Sequence, residues 1–176
     1  MTSARVRTLT FYAFCGATLL HVVAVAQTKD PLLGRWVLDR ARSTFNGQIP
    51  FFGGVAPVKR AMTFEVAGDR LRHVIETTLS DTQAEGQSYR FEYTFRIDGQ
   101  EYPADLQMAT NSVSFTRVDT QTVKRLGRYQ GKVIEEVTYR ISDDGRALTA
   151  TTVGTNYDAA GNGIDVGSVQ VFTRQP

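Results

Sequence analysis

Tyr89-Arg90-Phe91-Glu92-Tyr93-Thr94-Phe95-Arg96-Ile97 alternates without a break. Tyr89, Phe91, Tyr93, Phe95 and Ile97 fall on one side, and Arg90, Glu92, Thr94 and Arg96 fall on the other. Successive side chains of an extended strand point to opposite faces, so a period of two predicts a strand with one aromatic, buried face and one charged, wet face.

The same period runs outward in both directions. Met62, Phe64 and Val66 oppose Thr63 and Glu65. Leu71, His73, Ile75, Thr77 and Leu79 oppose Arg72, Val74, Glu76 and Thr78. Val133, Glu135, Val137, Tyr139 and Ile141 oppose Ile134, Glu136, Thr138 and Arg140. Shorter strands are expected at Ser112–Val118, Thr122–Tyr129, Ala147–Val153 and Ser168–Arg174. Turn residues separate them: Gly68-Asp69, Asp98-Gly99 ahead of Pro103, Asp143-Asp144-Gly145, and Ala160-Gly161-Asn162-Gly163. Short turns make antiparallel neighbours. About eight or nine such strands leave two exposed edges unless the sheet closes, so the expected fold is all-β, a single antiparallel up-and-down β-barrel of 8 to 10 strands. Asp39–Phe45 is the one helical candidate, a single turn, and Ile49–Val58 reads as an apolar loop broken by Gly and Pro. There is no internal repeat and no linker, so one domain is expected over residues 31–174.

Met1–Ala26 is a different kind of segment. Arg5 and Arg7 precede a run with no formal charge from Thr8 to Thr28, which passes through Ala24-Val25-Ala26. A positive start, an apolar stretch and a small-x-small end describe a secretory signal peptide cut before Gln27. The other reading is an uncleaved anchor, since the run is just long enough to span a bilayer. Cleavage predicts a periplasmic or extracellular protein with no stable membrane insertion. It also takes Lys plus Arg from 20 to 18, equal to the 18 Asp plus Glu. No net positive charge then remains to attract nucleic acid. The rest of the 176-residue chain, 41% apolar and 22% charged overall, has ordinary globular composition.

Gly34-Arg35-Trp36 opens the first expected strand. A Gly-x-Trp at that place resembles the calycin superfamily, the lipocalins and fatty-acid-binding proteins. The resemblance implies a lipocalin-like barrel with Trp36 packed across its closed end. Leu33–Phe45 and the element Asp98-Gly99-Gln100-Glu101-Tyr102-Pro103 are similar to stretches of exported bacterial lipocalin-like proteins of unknown function. Fold alone does not carry a function.

Cleavage would also remove Cys15 and His21, leaving no cysteine and one histidine, His73. That excludes a thiol nucleophile, a thiolate metal site and a multi-histidine centre. No phosphate loop, dinucleotide fingerprint or Gly-x-Ser-x-Gly is present. No cofactor and no metal are expected.

What remains lies on the inner faces. His73 and Glu135 fall on the apolar sides of their strands, with Tyr89, Tyr93 and Tyr139 on inner faces too. A buried charge needs a partner, so His73 and Glu135 are expected to satisfy each other or a ligand. These five residues are the candidate ligand site: a polar anchor in an apolar cavity of about 300 Å³ or more for a small apolar or amphipathic molecule. A structural account is that His73 and Glu135 reach water at a strand end. Phe51 and Phe52 beside Gly53-Gly54 suggest an apolar lid, or a cap on the core. The aromatic stripe from Tyr89 to Ile97 reads as core filling before it reads as a ligand box. Lys124, Arg125 and Arg128 read as a solvated basic face. Three functions stay open: a monomeric ligand-binding barrel, a filled barrel contacting another envelope protein, and an enzyme using His73 or Glu135 as general acid or base.

Overall fold

The structure is a computed structural model, and it describes residues 29–47, 56–79, 88–104, 110–157 and 163–176. The expected signal segment 1–26 and the Phe51–Phe52 lid lie outside the described residues. Phe91, Tyr93 and Phe95 are buried, as their alternation requires, while Arg90, Glu92 and Arg96 are exposed.

Ten strands follow in chain order: β1 (Gly34–Gly47), β2 (Pro57–Ala67), β3 (Arg70–Leu79), β4 (Ser88–Phe95), β5 (Glu101–Pro103), β6 (Ser112–Arg117), β7 (Thr122–Tyr129), β8 (Lys132–Ile141), β9 (Ala147–Tyr157) and β10 (Gly163–Arg174). They form one antiparallel sheet in the order β4-β3-β2-β1-β10-β9-β8-β7-β6-β5, with no helix among the described residues. The first and last strands pair, Trp36 opposite Arg174, so the sheet curls into a nearly closed barrel. The break falls between β4 and β5, where no backbone ladder forms. Rings cross it instead: Phe95 of β4 stacks on Phe115 of β6 with centroids 3.7 Å apart. Pro103, which has no N–H for a ladder, sits in the three-residue edge strand beside this break.

Several local expectations change. Asp39–Phe45 is strand, within β1, and not a helical turn. The β1–β10 register shifts between Asp39 and Thr44, and local bonds fill the gap. Ser43 Oγ donates to Asp39 O at 2.7 Å and accepts from Val171 N at 3.0 Å. This β-bulge keeps polar backbone groups satisfied while the ladder is interrupted. Pro57 and Val58 belong to β2 rather than to a loop. Val66 is 65% exposed where β2 runs into its turn. The β7–β8 turn has positive φ at both Gln130 (49°) and Gly131 (78°), the backbone that suits a tight two-residue hairpin.

Trp36 lies where the first and last strands pair. Its side chain is fully buried, and its Nε1 donates to Leu32 O at 2.9 Å. The Arg174 guanidinium lies 4.1 Å from the ring centroid. That same guanidinium donates to the carbonyls of Pro31 and Gly145, each at 2.6 Å, and to that of Leu33. Arg174 thus ties three chain segments over one indole. Gly34 is required here twice: its φ is +132°, and a Cβ would lie 2.7 Å from Arg174 Nη1.

Gly34→Ala and Arg174→Ala should each lower the urea-derived stability by about 1–3 kcal/mol. The double variant should lose clearly less than the sum, because alanine at 34 collides with the side chain that the second change removes. Full additivity would show that the two do not act through one contact.

Candidate functional site

Inward residues sort by level along the barrel. Nearest Trp36 the fill is apolar: Phe64, Phe95, Phe115, Ile141, Leu148 and Phe172, all essentially without solvent contact. The next level carries His73, Tyr93 and Tyr139, also buried. Beyond it the inward positions turn polar, with Arg60, Thr77, Arg125, Glu135, Ser168 and Gln170.

Arg125 and Glu135 are the charged pair of that level. Arg125 Nη2 donates to Glu135 Oε1 at 2.6 Å, with both side chains under 10% exposed. Thr110 Oγ1 donates to the same oxygen at 3.3 Å. The local backbone makes room for this. Gly127 pairs with Glu135 and Arg128 with Val133, so Ile134 is an extra residue in β8. This bulge buries Ile134 and leaves Val133 54% exposed, the reverse of strict alternation. A Cβ on Gly127 would meet Glu135 Cγ at 2.6 Å, so the glutamate lies across the space that this glycine leaves empty. On the other flank, a Cβ on Gly154 would meet Ile134 O at 2.2 Å.

Arg60 reaches the same interior from β2. Its Nη1 donates to Gln170 Oε1 at 3.0 Å, and Gln170 Nε2 donates to Ser168 Oγ at 3.0 Å. Glu135 thus bonds Arg125 directly and acts on Arg60 only at a distance, through its charge. Burial pulls the Arg60 pKa down from its ordinary value. Burial also acts against the charge on Arg125, but Glu135, Tyr139 and Tyr93 together more than offset it and the pKa rises. His73 is held neutral: burial, and then the positive charges of Arg125 and Arg60, push its pKa well below the usual imidazole range. Burial raises the pKa of Tyr93 and of Tyr139, so both phenols stay protonated.

Five enclosed polar atoms have no hydrogen-bond partner among the described residues: Arg60 Nε, Arg125 Nε, Arg125 Nη1, His73 Nε2 and Thr77 Oγ1. Leaving a buried donor unmet costs about 1–3 kcal/mol, more when the group is charged. These atoms belong to inward side chains of β2, β3 and β7, and each leaves a hydrogen-bonding position open toward the interior.

The predicted site residues separate into two groups. His73, Tyr93 and Tyr139 lie together, with His73 Nδ1 2.7 Å from Tyr93 Oη and the His73 and Tyr139 ring centroids 6.4 Å apart. Tyr89 is half-buried, with its ring parallel to that of Phe91. His73 and Glu135 do not satisfy each other. Each has its own partner, a phenol for the imidazole and a guanidinium for the carboxylate. The expected solvated basic face is also corrected. Lys124 is outside and paired with Glu136, but Arg125 is inside. Arg128 is largely covered, bonded to Ser114 and to Glu101. A cleft of about 360 Å³ beside β5, lined by Glu101, Tyr102, Pro103, Asn111, Ser112 and Gly131, lies outside the barrel and includes none of the five predicted ligand residues.

Sequence reasoning missed Arg60, Arg125 and Gln170. The signal was present: Arg125 is in phase with inward Val123, and Arg60 with inward Met62 and Phe64. No known protein family's sequence profile matches this chain, and no curated protein matches it in sequence.

Glu135→Leu should cost about 3–5 kcal/mol by stranding the Arg125 charge, and adding Arg125→Met should recover most of it. A double variant as unstable as the single would show that the charge is not what matters. The neutral His73 sets a pH dependence as well. Its folded-state pKa lies below that of the unfolded chain, which takes up a proton near pH 6.5 that the native state refuses. Stability from this group is complete above that pH. It should fall on acidification by at most about 1.4 kcal/mol per pH unit. Urea titrations at pH 7 and pH 5.5 should show a smaller drop for His73→Asn than for the wild type. Equal drops would place the acid sensitivity elsewhere.

Proposed function

We propose that the protein binds a small amphipathic molecule inside the barrel, with an acidic head group against Arg60 and Arg125. The observation that carries this reading is the set of enclosed, unmet N–H groups on two guanidiniums, of which only Arg125 is bonded to a carboxylate. An anion supplies both the missing acceptors and the missing negative charge. Met62, Ile75, Phe91 and Val137, inward residues of the same strands, offer the apolar portion a surface that excludes water. The binding form is a monomer acting outside the cytoplasm after loss of residues 1–26; the charge and apolar pattern of that segment support this part.

A second reading has a specific observation in its favour. The aromatic level is tightly filled, with Phe95 on Phe115 and Phe64 stacked on His73 at 4.0 Å. A filled barrel suits a structural or protein-interaction module of the cell envelope.

Calorimetric titration separates the two. Dodecanoate should saturate at one per chain and bind at least about tenfold more tightly than dodecanol, since a charge-assisted hydrogen bond is worth about 1.5–3 kcal/mol. Arg60→Met should weaken dodecanoate by a similar factor and leave dodecanol unchanged. No preference for the acid would overturn the head-group assignment, and no saturable binding of either would favour the filled module.

A further inference from the structure

We propose that Tyr93 locks His73 as its Nε2–H tautomer, and that this uncharged N–H is a separate contact to the ligand's head group, distinct from the arginines. The inference rests on the interior-ligand reading and adds to it a specificity-determining residue that carries no charge.

The geometry is a short chain. Tyr93 Oη and His73 Nδ1 are 2.7 Å apart, and both side chains are buried. One proton lies between them, and two arrangements are conceivable. If Nδ1–H donated, the phenol proton would need another acceptor, and among the described residues the phenol oxygen has none besides Nδ1. Arg125, which also acts on that phenol, carries only donors and so offers its proton no acceptor. The phenol therefore donates to Nδ1, and the imidazole proton sits on Nε2. That N–H is enclosed and has no acceptor.

The imidazole plane is fixed as well as its proton. Phe64 stacks on it at 4.0 Å, inclined by 16°, and Tyr93 and Tyr139 meet it edge-on at 5.2 and 6.4 Å. A ring held on its face and at its edges cannot turn to find another partner. Burial, and then the cations Arg125 and Arg60, oppose its protonation, so the donor stays neutral. An acid oxygen accepting from Nε2–H gains direction without further charge, and a ligand lacking an oxygen there leaves the N–H unmet.

Long-range 1H–15N correlation spectra of the full chain, with His73 assigned by its absence in His73→Gln, read the tautomer directly. The expected result is the Nε2–H pattern without ligand, and a shift of Nε2 that saturates in step with dodecanoate. Tyr93→Phe should give a mixture of tautomers and about tenfold weaker dodecanoate binding, while the dodecanoate-over-dodecanol preference set by Arg60 persists. An Nδ1–H pattern in the wild type, or an Nε2 resonance unmoved by saturating dodecanoate, overturns the proposal while leaving the interior-ligand reading intact. Absence of saturable dodecanoate binding overturns both, whichever tautomer is seen.

Discussion

The ion pair between Arg125 and Glu135 governs how the inside of this barrel is organised. Two opposite charges withdrawn from water attract each other strongly and lose a great deal of hydration, so their surroundings have to fit them closely. The fit is visible in the backbone. Gly127 gives up its side chain so that the glutamate can lie across it, Gly154 allows the neighbouring strand to approach, and an extra residue at Ile134 resets the pleat between them. With Glu135 committed to Arg125, the guanidinium of Arg60 is left with a neutral amide. Burial, and then that surplus of positive charge, keep His73 from protonating.

Two kinds of packing meet at this level. Toward Trp36 the interior is aromatic and closely filled, and it supplies a rigid base. Away from it the walls become polar, and their donors outnumber their acceptors. Rigidity on one side is what gives the polar side its directional character, since donors held on strands whose opposite ends are fixed cannot swivel to satisfy one another. The tie of Arg174 over Trp36 belongs to the same design: it anchors the ends of β1 and β10 from which the inward rows are counted.

The barrel was legible because alternation survives in most strands. In β4 the inward Phe91, Tyr93 and Phe95 are buried and Tyr89 half-buried, and in β8 Val137, Tyr139 and Ile141 are buried, as alternation requires. It failed where residues were inserted, one in β8 and three in β1. The bulge at Ile134 exchanges the fates of Val133 and Ile134, and the one in β1 imitates a helical turn through Asp39 and Ser43. No composition rule marks such insertions, because each is defined by its register against a partner strand, β7 for Ile134 and β10 for the β1 segment. The site was half legible. His73 and Glu135 stood out as polar residues on apolar rows, but their partners did not, since pairing across strands is a fact of register. Arg125 was hidden by its neighbours: Lys124 and Arg128 beside it suggested a wet face, whereas its own phase with Val123 points inward.

The break between β4 and β5 gives the barrel a property that a fully laddered one lacks. Everywhere else around the wall, parting two strands means breaking a row of backbone hydrogen bonds. At this junction the wall is held by ring contacts such as Phe95 on Phe115, while the chain from Phe95 to Glu101 bridges the same two strands at the Trp36 end, with Gly99 N bonded to Phe115 O at 2.8 Å. The cross-section is thus a clasp with a hinge at its base. The spacing of the wall at this junction is set by side-chain packing and by polar contacts such as Arg125 on Tyr93, not by a ladder, so this seam of the described sheet can give without unravelling a row of backbone bonds.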